Sequence, residues 1–286
     1  MKHIVILFLL FLLFPVSFAH AMDDKENIRL DKAEIDQYGL PYIEEFIDER
    51  KLNELMDGLE SKLYIPPKEA HIKENGAIQP EKYGRTLDRE KFEMQFKERF
   101  YSRDQTKLPV PTRTVYPRVN EELLKEISNN HLESYTTYYK TSNKERSTNI
   151  ELATEAINST VVFPGETFSF NEVVGERTAE KGYKRARVIV KGEFSEDIGG
   201  GICQVSSTLF NAVDIKGVQI EERYAHSREV PYVPPGRDAT VSWWGPDFVF
   251  KNMYNEPLLI RATAKNGKLT VSVYSSESAE YFTGEE

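Results

Sequence analysis

The sequence predicts an α+β protein of two domains, the second a mostly antiparallel sheet with a cysteine-bearing helix packed on it. Three observations lead there. Apolar residues recur at helical spacing in separate stretches: Leu52, Leu55, Met56, Leu59 and Leu63, then Phe92, Phe96 and Phe100, then Val205, Leu209, Ala212 and Val213. Strand-like alternation fills the gaps between them, and its clearest case, Leu258 to Lys265 and Lys268 to Tyr274, flanks Asn266-Gly267, the strongest short hairpin signal. The third observation is length: 286 residues, 40% hydrophobic, suffice for about two cores.

The elements follow in order. Met1-Lys2-His3, an apolar run from Ile4 to Phe18 and Ala19-His20-Ala21 describe a secretory signal peptide over residues 1–21. Its apolar run is shorter than the roughly 20 residues a spanning helix needs, so no stable membrane span is expected after signal removal. Residues 22–50 read as an acidic, loosely ordered lead-in. A small α+β module is expected over 51–128. There Pro66-Pro67 stops the first helix, Asn75-Gly76 turns a short strand pair, and Asp88 caps a helix stapled by Leu87 and Phe92. Prolines keep 108–117 extended, and Asn120 caps a short helix carrying Leu123, Leu124 and Ile127.

Composition shifts near Ser128, and a second domain is placed at 129–276. Its expected elements are a strand from Tyr135 to Lys140 and a helix starting at Ser147 or Thr148. Two short strands around Pro164-Gly165 and a strand from Arg185 follow, then the Cys203 helix. Strands at Val218 to Tyr224 and Ala239 to Trp243 precede the hairpin. His71 reads as a surface histidine and His131 as a loop residue. Residues 277–286 read as an acidic, disordered tail.

Charge excludes one class of partner. The net charge is −9 and no basic stripe is present, so nucleic acid gains nothing electrostatically. One cysteine and scattered histidines give no zinc spacing, and no phosphate-cradling glycine pattern occurs; neither a metal nor a cofactor is expected.

The chemistry is read at Gly199-Gly200-Gly201-Ile202-Cys203-Gln204-Val205-Ser206-Ser207. The glycines permit a sharp turn and close approach of another molecule. Cys203, the single cysteine, falls in the first turn of a helix, where free N–H groups and the dipole favour a thiolate. The alternative is a cysteine that only packs, in a helix whose glycines serve tight contact. Outside the cytoplasm a lone thiol has no disulfide partner in its own chain and is open to oxidation.

A thiol nucleophile needs a base, and that base commonly needs an orienting group. His71, His131 and His226 remain beyond the signal, and His226 lies in the cysteine's own domain. Asp238 is preferred over Asp247 as the orienting carboxylate. Backbone N–H groups around Cys203, with the Gln204 side chain, are candidate oxyanion donors. No Gly-x-Ser-x-Gly pattern makes Ser206 or Ser207 a nucleophile.

From about Arg146 to Tyr274 these residues resemble the VanW-like family. The resemblance rests on Arg146 with Asn149-Ile150, on Pro164-Gly165-Glu166-Thr167-Phe168-Ser169-Phe170-Asn171, on Arg177-Thr178, and on the Gly199 to Leu209 stretch. It continues through His226-Ser227, Tyr232-Val233-Pro234-Pro235-Gly236-Arg237-Asp238 and Asp247-Phe248. The segment Pro66 to Ile127 resembles the peptidoglycan-binding module that often precedes such a domain. The resemblance implies a secreted cell-wall protein acting on peptidoglycan stem peptides, with a link to glycopeptide resistance. It implies an L,D-transpeptidase making 3-3 cross-links through an acyl-enzyme on Cys203, with His226 moving protons beside Asp238. Gly200, Gly201, Gln204, Ser206, Ser227 and Arg237 are then the substrate or oxyanion candidates. Cysteine precedes histidine here, as in papain-like and NlpC/P60 enzymes, so a peptidoglycan cysteine peptidase stays open, as does a non-enzymatic wall-binding protein.

Overall fold

The computed structural model describes residues 28–102, 105–190 and 193–281. The expected signal peptide lies outside them, as does the end of the tail. The chain forms two compact units and passes between them at 64–65, 85–86 and 113–114. It is α+β, and every strand pair whose register is defined is antiparallel.

The first unit comprises the chain to Tyr64 and residues 86–113. Its helices run Lys32–Asp36, Glu49–Leu63 and Arg89–Tyr101. Each starts at an aspartate whose side chain accepts from the first free N–H groups: Asp31 from Glu34, Asp48 from Arg50 and Lys51, Asp88 from Lys91. Leu52, Met56, Leu59 and Leu63 meet Phe92, Phe96 and Phe100 in one core, and Leu87 and Phe92 are both fully buried there. The lead-in expectation fails over 28–48. Asp31 and Glu34 form a capping box, strands Gly39–Leu40 and Ile43–Ile47 pair, and Ile35 is buried with the helices. Ile35 and Ile47 bury enough apolar surface to hold this acidic stretch down.

In the second unit a four-stranded sheet runs in the order Thr160–Val162, Leu258–Lys265, Lys268–Ser275, Asn130–Tyr138. Asn266 and Gly267 both have positive φ, as the two-residue hairpin turn requires. Helices Lys144–Ile157 and Ile202–Val213 lie on this sheet. Between them and the sheet sit Ile150, Ile157, Val205, Leu209, Ile260, Leu269 and Val271. Strands Thr167–Ser169, Val249–Asn252 and Val218–Glu222 make a second sheet, and Arg185–Val190 pairs with Glu193–Ile198 as a hairpin.

Several boundaries differ from the sequence reading. The helix expected from Ser147 or Thr148 begins at Lys144, because Asn143 caps it by accepting from the Arg146 N–H. His131 is in a strand, paired with Tyr274 and edge-on to its ring at 5.0 Å. His71 is likewise a strand residue, half-buried and paired with Gln79. No strand forms over Ala239 to Trp243; only the Tyr224–Thr240 bridge occurs, since this segment is held by side chains of the Cys203 helix. Residues 277–281 are ordered by a bridge between Tyr254 and Tyr281, not a free tail. Residues 65–85 and 114–128 pack in the second unit, so its limits differ from the linear boundary near 128.

A candidate active site at the start of the Cys203 helix

The Cys203 helix starts abruptly. Gly201, with φ +110°, sits at its N-cap without a capping side chain. A Cβ on Gly200 would lie 2.7 Å from the backbone of Ala186 and Arg187, so no other residue fits there. The Gly200 carbonyl accepts from the Asn149 amide at 2.9 Å. The closeness these glycines provide is to the protein's own backbone.

Cys203 is partly exposed. Its Sγ lies 3.5 Å from the Val241 carbonyl and 3.7 Å from Thr240 Oγ1. The segment carrying those two residues is pinned to the helix by serines. Ser206 Oγ donates to the Ala239 carbonyl at 2.6 Å, and the Ala239 N–H donates to Ser207 Oγ at 2.9 Å. Ser207 Oγ in turn donates to the Cys203 carbonyl at 2.6 Å.

This clamp positions Asp238, one residue earlier. Its Oδ2 accepts from the His226 backbone N–H and lies 2.6 Å from His226 Nδ1. A carboxylate can only accept, so Nδ1 carries the proton and Nε2 is left for the thiol. The His226 and Asp238 side chains are 6% and 10% exposed, which keeps water from competing for that bond. Asp247, the less favoured carboxylate, is occupied elsewhere, accepting from Ser169 Oγ and from the Asn171 and Phe248 N–H groups.

Electrostatics within the trio runs one way. Burial pushes the Cys203 thiol up, yet the interaction with the His226 ring and its charge, with the Val241 and Thr240 contacts, holds it below the ordinary range. Burial pushes His226 down, but its bonds and charge interactions with Cys203 and then Asp238 hold it above the ordinary range. Asp238, pushed up by burial, is held low by the two bonds from His226. Opposite shifts of thiol and imidazole favour a thiolate–imidazolium pair.

The remaining candidates divide. Gln204 is buried, its Nε2 donating to Thr137 Oγ1 and the Tyr138 carbonyl, its Oε1 accepting from Arg146. Both its hydrogens are spent, so it has no donor left for an oxyanion. Ser206 is fully buried and serves the clamp. Arg237 holds Asn211 and Asp214 toward the far end of the helix, about 12 and 16 Å along its axis from Cys203 at 1.5 Å per residue. Ser227 is exposed beside His226. Of the backbone N–H groups of the helix's first turn, those of Ile202 and Gln204 donate to the Gly199 and Gly201 carbonyls, which leaves the Cys203 N–H as the donor nearest the sulfur in sequence.

Sequence reasoning gave no chemical role to three side chains at this site. Tyr232 stands edge-on to His226 at 6.5 Å, and burial raises its phenol far above the ordinary range. Arg146 and Arg177 are largely desolvated, and both feel the charge of Cys203. Only their place in the resembling stretches singled them out. Among the described residues no group of three or more His, Cys, Asp or Glu converges on a metal position, and no helix is long and apolar enough to cross a membrane.

Fold and site together define an α+β protein with a cysteine at a helix start and, coupled to it electrostatically, a hydrogen-bonded histidine–aspartate pair. Comparison with known proteins adds the lineage. Residues 145–274 match the family described as "VanW like protein", and residues 42–109 match the "Putative peptidoglycan binding domain". The uncharacterized protein YoaR of Bacillus subtilis (strain 168) is 53% identical over 231 residues, covering 81% of this chain and 76% of its own. The vancomycin B-type resistance protein VanW of Enterococcus faecalis (strain ATCC 700802 / V583) is 28% identical over 137 residues, covering 46% and 50%. No solved structure matches. The chain belongs to the VanW-like family. The second match makes peptidoglycan the partner class that the comparisons support, and it fits a cell-wall or extracellular protein.

Proposed function

We propose that this protein is a secreted cysteine L,D-transpeptidase that forms 3-3 cross-links in peptidoglycan, with residues 129–276 carrying the chemistry and the module before them binding the wall. One observation carries the proposal: the 2.6 Å Asp238–His226 bond, which leaves the second imidazole nitrogen to serve Cys203. In this reading the Cys203 thiolate attacks the carbonyl carbon of the third stem residue. The tetrahedral adduct collapses by breaking the bond to the terminal D-alanine nitrogen, and His226 delivers its proton to that leaving amine. A thioester remains. The side-chain amine of a neighbouring stem then attacks it, His226 takes a proton from that amine, and the new amide leaves the thiolate regenerated. Asp238 keeps the ring oriented and stabilises its positive charge throughout.

Water in place of the amine makes the same residues a peptidase, and an inert Cys203 leaves a wall-binding protein. Incubating the purified protein with tetrapeptide muropeptides, and weighing the products, separates these readings. Cross-linked dimers lacking one D-alanine are the expected products, absent with Cys203→Ala. Trimmed monomers alone would make it a peptidase, and equal products from both proteins would remove Cys203 from the chemistry.

A further inference from the structure

Arg177 has no part in the mechanism above, and its surroundings require explanation. Its stem packs on the glycine turn: a Cβ built on Gly199 would lie 3.4 Å from Arg177 Cβ. Its guanidinium is 5.7 Å from the Phe170 ring and 6.0 Å from the Trp243 ring. Gly199 is four residues before Cys203 in the turn that leads into its helix, and Trp243 is two residues past Val241, whose carbonyl touches the sulfur. Arg177 is therefore anchored on both segments that flank the thiol, and it feels the charge on Cys203.

Both terminal nitrogens of this guanidinium are buried, and neither has a hydrogen-bond partner among the described residues. The other arginines around the site are committed: Arg146 to Gln204, Arg223 to the Gly236 and Asp238 carbonyls, Arg237 to Asn211 and Asp214. Asp247, the carboxylate whose charge Arg177 also feels, spends its oxygens on Ser169, Asn171 and Phe248. A guanidinium stays charged at any ordinary pH, and burying a charge without acceptors is strongly unfavourable. Such a group is suited to receive an anion, and its parallel N–H pair matches a carboxylate.

We infer that Arg177 is the receptor for the free α-carboxylate of the donor stem, so that the site selects peptides ending one residue beyond the attacked carbonyl. The inference rests on the transpeptidase or peptidase reading for its substrate. In that donor the carboxylate belongs to the departing residue itself, within one residue's reach, about 3.5 Å, of the reacting carbon. Arg177 is anchored on the glycine turn that precedes the thiol and on the segment whose Val241 carbonyl touches it, the two places from which a cation could meet that carboxylate. Amidated or longer stems leave Arg177 unpaired and are rejected.

Two assays test this separately. Wild-type protein is given a tetrapeptide muropeptide with a free C-terminus or an amide there, and Cys203 is alkylated with iodoacetate and with iodoacetamide. The expected result is preference for the free acid by tenfold or more, with iodoacetate favoured over iodoacetamide relative to free cysteine. In Arg177→Met both preferences disappear, each read as a ratio of rates at a pH high enough to ionise the thiol fully, so that the lost charge support for the thiolate does not enter; Arg177→Lys keeps part of each. The melting midpoint of Arg177→Met is expected to be no lower than the wild type's, since methionine keeps the packing of the stem while the buried charge without acceptors is removed. Equal processing of both peptides by the wild type overturns the inference and leaves the enzymatic reading standing. Turnover of neither peptide, with an Arg177-dependent iodoacetate preference intact, overturns the enzymatic reading and leaves the anion site. A lowered midpoint with both preferences retained makes Arg177 structural. Should Arg177→Met not fold, the two-peptide comparison and Arg177→Lys decide the matter.

Discussion

At the scale of single residues, the site depends on how three titrating groups divide two protons. The imidazole and the thiol shift in opposite directions because each stabilises the other's charged form. The sign of the pH dependence follows. A depressed thiol pKa keeps the reactive thiolate populated below the free-cysteine value of about 8.5. Iodoacetamide alkylation of Cys203 is therefore expected to stay fast below that value and to fall only as the pH drops through the depressed pKa. His226→Gln removes the stabilising charge but not the desolvation, so the inflection is expected to move to or above the free-cysteine value. An inflection unmoved by that substitution would mean that the helix start alone acts on the thiol. A second change isolates Asp238: Asp238→Asn keeps a side chain of similar size but loses the anion that fixes Nδ1–H. Turnover in the muropeptide assay is expected to fall by about 10²–10⁴, the usual worth of proton transfer by a positioned group, with alkylation at high pH unaffected. Much at this scale was legible in the sequence. A lone cysteine after a glycine turn, and a histidine just past a strand of the same domain, point to Cys203 and His226. The choice of Asp238 over Asp247 rested on turn position, and the structure puts Asp238 Oδ2 2.6 Å from His226 Nδ1. The commitments of Gln204 and Arg237 were not legible, because which partner uses up a donor depends on residues 58–67 and 23–26 positions away.

Among the elements, the decisive contact is between the Cys203 helix and the irregular 238–241 segment. Alternation in Ala239 to Trp243 resembles a strand, but strand hydrogen bonds are replaced by the hydroxyls of Ser206 and Ser207. A pattern of period two records which side chains are buried and leaves open what satisfies the backbone between them. The serines also explain why a helix interior tolerates them: each hydroxyl has a buried partner, in place of competing with the helix for solvent-exposed backbone. Ser207→Ala leaves the buried Ala239 N–H without an acceptor, at a cost of about 1–3 kcal/mol. It is expected to lower the melting midpoint and to loosen the segment that carries Asp238. Hydrogen exchange is then expected to quicken at the Ala239 amide, while the Leu258–Lys265 and Lys268–Ser275 hairpin stays protected. That hairpin was legible because its turn is coded by two adjacent residues, Asn266 and Gly267, both with positive φ. The helix start at Lys144 was not, because Asn143 also reads as a turn residue and only the structure shows it accepting from Arg146.

For the whole molecule, linear composition misplaces one boundary for a physical reason. Near Ser128 the polar residues thicken, which reads as a linker, yet the chain on both sides of it belongs to one unit. Ile72 donates its N–H to Ser159 Oγ at 2.8 Å, and the Asn158 amide donates to the Ile72 carbonyl at 2.8 Å. Ala70, Ile72, Val119, Leu124 and Ile127 share a buried cluster with Leu259, a residue of the central hairpin. No local pattern reveals such a pairing, because its partners are 86 and 87 positions apart. The consequence concerns any attempt to isolate the Cys203 domain at the compositional boundary. A chain of residues 129–281 exposes the Leu259 side of its sheet and leaves Ser159 and Asn158 without their Ile72 partners. Each large aliphatic residue withdrawn from that cluster forfeits about 1.5–3 kcal/mol, and four are withdrawn. That sum is comparable with the 5–15 kcal/mol by which a whole domain is stable. Residues 129–281 alone are therefore expected to lack a cooperative thermal transition, whereas residues 28–281 keep one. A cooperative melt from 129–281 within a few degrees of the longer chain would show that the second unit's stability lies entirely beyond Ser128.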